Sequence, residues 1–182
     1  MRGVVLITGV MAAGKSTVAQ ALAERLPRAA HVRGDVFRRM IVSGREEYQP
    51  GADGDGDADG EAAAQLHLRY RLSAATADTY VRAGFTAVVQ DVVLGEQLAS
   101  YVGLVRTRPL YVVVLAPDAG TVAARESGRP KTGYGAAWTV PALDDLLRTR
   151  TPRIGLWLDS SELTVGETVE AIMAGRERAR VP

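Results

Sequence analysis

The sequence predicts an α/β fold in which a parallel sheet is covered by helices on both faces. Three observations carry this expectation. Segments of strand and helix character alternate along the chain, most strand segments are apolar throughout, and the first strand runs through a glycine-bearing loop straight into a helix. With 182 residues and 47% hydrophobic content the chain can bury one sizeable core and is short for two, so residues 1–182 are expected to form a single domain.

Gly3 to Thr8 is a β-branched and apolar run reaching Gly9; Ser16 to Leu26 carries apolar residues at Val18, Ala21, Leu22 and Leu26, a helical spacing closed by Pro27. Ala29 to Arg33 reads as a short second strand, and Asp35 to Ser43 as a second helix with Asp35 as its N-cap. From Gly44 to Gly60 the composition turns to Gly, Asp, Ala and one Pro, which predicts a loop. Asp55, Asp57 and Asp59 match the start of a calcium loop, but its twelfth position is Leu66 and the bidentate Glu is missing, so an acidic loop is expected instead.

Glu61 to Arg82 reads as a long helix with Leu66, Tyr70, Ala74 and Ala77 along one side, ended by a glycine at position 84. Thr86 to Gln90 is the third strand, Leu98 to Val105 a helix, Leu110 to Leu115 the fourth strand and Asp118 to Glu126 a helix. A helix at Ala142 to Leu147, a last strand at Ile154 to Leu158 and a last helix at Thr164 to Ala174 follow, the last opened by Thr164 and Glu167 in capping-box spacing. Arg176 to Arg180 is expected to be a frayed helix end.

The junction between the first strand and its helix carries the chemistry. Gly9, Met11, Ala12, Ala13, Gly14, Lys15 and Ser16 lie in a stretch satisfying G-x-x-x-x-G-K-[ST], between a predicted strand and a predicted helix, the context a P-loop requires. The glycines let backbone N–H groups turn inward around phosphate oxygens, and the helix N-terminus adds partial positive charge. Lys15 would reach the β and γ phosphates of ATP, the Ser16 hydroxyl would ligate Mg²⁺, and Thr17 would contact the α-phosphate. The third apolar run ends in Asp91, placed to serve as the second Mg²⁺-shell element beside Ser16. Asp35 follows the second strand, and since neighbouring parallel strands open their carboxyl ends on one crevice, it would face the transferred phosphate as base for an acceptor hydroxyl.

Composition narrows the classes. Net charge is +1 from 22 basic and 21 acidic side chains, so no overall field favours nucleic acid or an anionic membrane. Asparagine is absent, which removes the guanine-reading motif of GTPases and the metal-binding Asn of protein kinases. Cysteine is absent too, and the apolar N-terminal run stops at Thr8, short of a signal peptide or membrane span, so a cytoplasmic enzyme is expected. Lys15 and Lys131 are the lysines among the basic residues, all others being arginine.

At these residues the chain resembles the chloramphenicol phosphotransferase-like group of P-loop kinases, and more distantly gluconate and shikimate kinases. The likeness lies in Gly34-Asp35-x-Phe37, in the run Asp91 to Gly95, in Arg125 to Arg129 and in the spacing between them. It implies a three-layer P-loop NTPase fold with a five-stranded sheet in the order 2-3-1-4-5, an arginine-bearing lid and Asp35 as the base. Where that group carries a pair of acids, Gln90 precedes Asp91 here.

Arg125, Arg129 and Lys131 sit in a Gly/Pro-rich segment suited to a lid over residues 125–137, whose cations would stabilise charge spread over the moving phosphoryl oxygens. By analogy with related kinases, Arg125 would stack on adenine. The acceptor is expected between residues 36 and 83, with Arg33, Arg38, Tyr70, His67, Asp91 and Tyr134 as candidate contacts. These expectations describe a kinase acting on a small hydroxylated molecule such as an antibiotic or natural product, as monomer or homodimer. The alternatives are a polynucleotide 5′-hydroxyl kinase, disfavoured by near-neutral charge and only two Phe, and a non-catalytic ATP-binding switch.

Overall fold

A computed structural model describes residues 1–46, 48, 60–128 and 139–182. The first strand, β1 (Val4–Gly9), is buried along its whole length, as a β-branched run central to a sheet should be. It feeds α1 (Lys15–Arg25), which buries Val18, Ala19 and Leu22. Leu26 is extended, as a residue before proline tends to be, and ends that helix. β2 (Ala29–Arg33) passes directly into α2 (Gly34–Arg39). That helix is shorter than expected and Asp35 is not its N-cap: Arg33 holds that position and Asp35 lies in the first turn. It stops early because Met40 and Val42, at 65% and 96% exposure, find no core to bury them.

The long α3 (Glu61–Arg82) ends in a Schellman motif. Gly84, at φ 84°, donates to Val81, Phe85 donates to Tyr80 at 3.0 Å, and the two rings meet edge to face at 6.1 Å. After β3 (Thr86–Gln90), α4 (Gln97–Leu104) and β4 (Leu110–Leu115), α5 (Ala119–Ser127) is capped by Asp118, which accepts from the Thr121 amide at 2.9 Å. α6 (Val140–Asp145) continues as a π turn over Leu146–Arg150. β5 (Leu156–Leu158) is shorter than expected because Gly155, at φ 73°, bends the chain against the Val112 backbone, where a Cβ would not fit. The predicted capping box opens α7 (Val165–Ala174), Thr164 and Glu167 each bonding the other's backbone.

The strands run in the order β2-β3-β1-β4-β5, all parallel. The sheet has a sixth member: residues expected to fray instead form α8 (Arg176–Ala179) and β6 (Arg180–Val181), antiparallel to β4. Because β5 pairs only with Val113 to Leu115, the beginning of β4 would otherwise show unpaired backbone, and β6 covers it at Leu110 and Tyr111. The step from β1 to β2 crosses the sheet one way and the step from β2 to β3 the other. Right-handed crossovers therefore put α1 and α3 on opposite faces, with α7 beside α1 and α4 beside α3. Among the described residues no helix is long and apolar enough to cross a membrane.

Candidate functional site

The carboxyl ends of the strands form one edge, and the sequence places a distinct chemical group after each. β1 ends at Gly9, whose φ of 143° and approach to the Leu115 carbonyl exclude a side chain. The loop then turns through Ala12 at φ 58° and Gly14 at φ 92°, the latter serving as N-cap of α1. The first N–H groups of a helix have no intrahelical acceptor, and with no acidic side chain in the first turn of α1 they remain suited to an anion. Lys15 is buried at 8% exposure and its ammonium donates to the Val10 carbonyl at 2.7 Å, folding over the loop; Ser16 and Thr17 are exposed beside it. Met11 and Ala12 are half-buried and Ala13 is buried in the same loop.

The Ser16 hydroxyl donates to Oε1 of Gln90, at the end of β3, at 3.0 Å. Asp91, one residue on, is directed elsewhere. Its carboxylate is fully buried and forked by the Arg69 guanidinium of α3, Nε to Oδ2 at 2.9 Å and Nη2 to Oδ1, and it also accepts from the Val92 amide at 2.7 Å. Burial lowers the Arg69 guanidinium from its ordinary value, with Tyr70 and Asp35 acting the other way and Arg38 adding to the lowering. Among the described residues no group of three His, Cys, Asp or Glu side chains is placed to hold a metal ion.

Gly34 stands directly over this pair: a Cβ there would overlap the Asp91 carboxylate. The next residue, Asp35, is half exposed and pairs with Arg39 one turn along α2 at 3.0 Å. Two strand spacings separate β2 from β1, so Asp35 lies roughly 10 Å across the edge from the loop. On the other side, Arg125 of α5 donates to the carbonyls of Ser160 at 2.9 Å and Ser161 at 3.4 Å, in the loop after β5. Asp118 and Asp159 both lie below the ordinary carboxylate range, held there by hydroxyl and amide donors, Thr121 foremost for the first and Ser161 for the second.

The structure thus brings Gly9 to Thr17, Gln90, Asp91, Asp35 and Arg125 to one edge. Of the expected acceptor contacts, Arg33 ends β2 at this edge and Tyr70 lies in the core. Arg33 reaches back to Gln20 of α1 at 3.5 Å, and Tyr70 is a core residue at 3% exposure. Its hydroxyl donates to the Val92 carbonyl at 2.9 Å and its ring meets Tyr101 edge-on at 5.7 Å; burial pushes the phenol well above its usual range. His67 is an exposed α3 residue 3.2 Å from Gln97. Arg129, Lys131 and Tyr134, most of the expected lid and most of the acidic loop lie outside the described residues. Arg69 was not among the expected site residues. No motif marks it, and only its tertiary partner does.

The family described as an AAA domain (AAA_33) matches residues 4–152. No curated protein matches the chain. Among solved structures, a sugar kinase from Janibacter sp. HTCC2649 superposes with TM-score 0.69 at 17% identity, over 98% of this chain and 96% of that one. The tunicamycin resistance protein of Deinococcus radiodurans superposes with TM-score 0.65 at 16% identity, over 100% and 99%. A gluconokinase from Sinorhizobium meliloti 1021 gives 0.62 at 18%, over 98% and 94%. At these identities the likeness shows the fold, a P-loop α/β architecture shared with kinases.

Proposed function

The chain belongs to the AAA domain family matched over residues 4–152, and on that footing we propose that it is an ATP-dependent phosphotransferase, moving a phosphoryl group to a hydroxyl of a small molecule. The observation that carries the reading is the shared edge. It holds a glycine loop capped by Lys15 and Ser16, a carboxylate at Asp35 two strands away, and an arginine at Arg125 on the far side. The loop amides and Lys15 bind and orient the phosphates, fixing the in-line approach on which most of the rate enhancement in phosphoryl transfer depends. Asp35 accepts the proton of the acceptor hydroxyl as the new bond forms, and its Arg39 partner, one turn along α2, holds the carboxylate in place. Bound Mg²⁺ would neutralise charge on the phosphates, and the Ser16 hydroxyl, with its proton on Gln90, has lone pairs suited to such an ion. The helices within residues 36–83, between β2 and β3, would shape the acceptor pocket, for which an antibiotic or related natural product is the first class to try. We read the whole chain as one such domain.

The test is a screen of hydroxylated metabolites and antibiotics for ATP-dependent gain of one phosphate, followed by two variants. Asp35→Asn is expected to abolish transfer while ATP binding persists; retained transfer would remove Asp35 as the base. Lys15→Ala should weaken both binding and turnover. Slow hydrolysis unaffected by every hydroxyl compound, together with a nucleotide-dependent protein partner, would replace the enzyme with a switch.

A further inference from the structure

The end of β3 divides its two polar side chains between the two faces of the sheet. Successive side chains of an extended strand point to opposite sides, and Gln90 and Asp91 are successive. Gln90 meets Ser16 of α1, and Asp91 meets Arg69 of α3, the helices that cover opposite faces. The acid is therefore turned toward the α2–α3 side, where Gly34 covers it and its oxygens already accept from a guanidinium and a backbone amide. The group turned toward the phosphate loop is a neutral amide.

From this division we infer that Gln90 is the positioning residue for the metal-binding hydroxyl of Ser16, and that Asp91 is an anchor for Arg69 on the acceptor side rather than a metal carboxylate. The inference rests on the nucleotide-binding reading above. A serine hydroxyl has one hydrogen and two acceptor lone pairs. Gln90 Oε1 takes the hydrogen and so orients the oxygen, leaving its lone pairs to face a cation arriving with the phosphates. Because the amide is uncharged, the strand contributes no negative charge to that cation. Affinity for the divalent ion then depends on the nucleotide phosphates and on Ser16, and it is open to increase by one added charge.

The experiment measures Mn²⁺ affinity by electron paramagnetic resonance with the full chain and a non-hydrolysable ATP analogue at pH 7.5, beside the affinity for the analogue without metal. Gln90→Leu should weaken Mn²⁺ binding about tenfold, and Gln90→Glu should tighten it about tenfold, with the metal-free nucleotide affinity within about twofold of wild type in both. A residue with a merely structural role would move the two affinities together. Asp91→Asn should leave Mn²⁺ affinity within about twofold. Should that variant fail to fold because Arg69 is left unpaired, the paired replacement Arg69→Met with Asp91→Leu removes both charges and is measured in its place. A loss of Mn²⁺ affinity in the Asp91 variants as large as in Gln90→Leu, or no tightening in Gln90→Glu, overturns the inference while leaving nucleotide binding intact. Failure of the wild-type chain to bind the analogue at all overturns the nucleotide-binding reading itself.

Discussion

Gly34→Ala is the sharpest test of how α2 and α3 are joined to the sheet. Gly34 opens α2 with a helical backbone, so alanine faces no conformational obstacle and, on helix propensity alone, would stabilise the chain by about 0.5–1 kcal/mol. Packing opposes this. The new methyl would fall on Oδ2 and Cγ of Asp91 and 3.0 Å from its Cβ. Asp91 cannot swing aside, because its side chain is 0% exposed and Arg69 grips both oxygens. Forcing a methyl into a filled interior costs about 1–3 kcal/mol. Prising the fork apart approaches the roughly 3–5 kcal/mol lost when a buried ion pair is broken. After the propensity gain, a net loss of about 2–4 kcal/mol follows, readable as a lower urea midpoint at unchanged slope. In a background where Arg69→Met and Asp91→Ala have removed the pair, the same alanine should cost less than about 1 kcal/mol, a coupling that a double-mutant cycle isolates. If Gly34→Ala proves as stable as wild type, the packing of α2 on Asp91 described above is wrong.

Three further outcomes are expected. Ala12 sits at φ 58°, a left-handed conformation costing an ordinary residue about 1–2 kcal/mol, so Ala12→Gly should raise the thermal midpoint; a fall would show that the loop does not hold that angle. Tyr70→Phe should lose about 1 kcal/mol with the Val92 hydrogen bond and leave the KM for any acceptor within about twofold. A large rise in KM would return Tyr70 to the pocket. Burial depresses His31 below its ordinary 6.5, with Arg33 acting the same way and Asp35 against it, so the native state favours the neutral ring. Stability from this source is full above about pH 6.5 and falls as pH drops toward the folded value, because the unfolded chain takes up the proton first. Urea midpoints at pH 7.5 and 5.5 should differ less in His31→Gln than in wild type, and an equal difference would rule His31 out as the cause.

Local chemistry made much of this readable from sequence. β2, β3, β4 and α3 fall where the apolar runs and their flanking glycine or proline put them, because each is set by its own side chains and a nearby chain breaker. The glycine loop is legible for the same reason, since Gly9 and Gly14 occupy angles few other residues accept. What stayed hidden depends on partners distant in sequence. The shortening of β5 needs the Val112 backbone beside Gly155, and β6 pairs with the start of β4, which β5 leaves open. Arg69 is one arginine among many until Asp91 is seen between its nitrogens, 22 residues away in sequence. Tyr70 shows the converse. The helical stripe correctly put it on the inner side of α3, but its polar tip invited a binding role, whereas the hydroxyl had a carbonyl waiting in the interior.

The antiparallel return of β6 bears on how the molecule can be handled. Val181 lies level with Leu110, at the opposite end of β4 from Leu115, whose carbonyl approaches Gly9; the five residue steps from one level to the other span about 16 Å. An affinity tag, fluorophore or surface tether joined after Pro182 would therefore emerge on the side remote from the phosphate loop. Attached that way, a layer of this protein would present the edge that carries Gly9 to the solution instead of to the support.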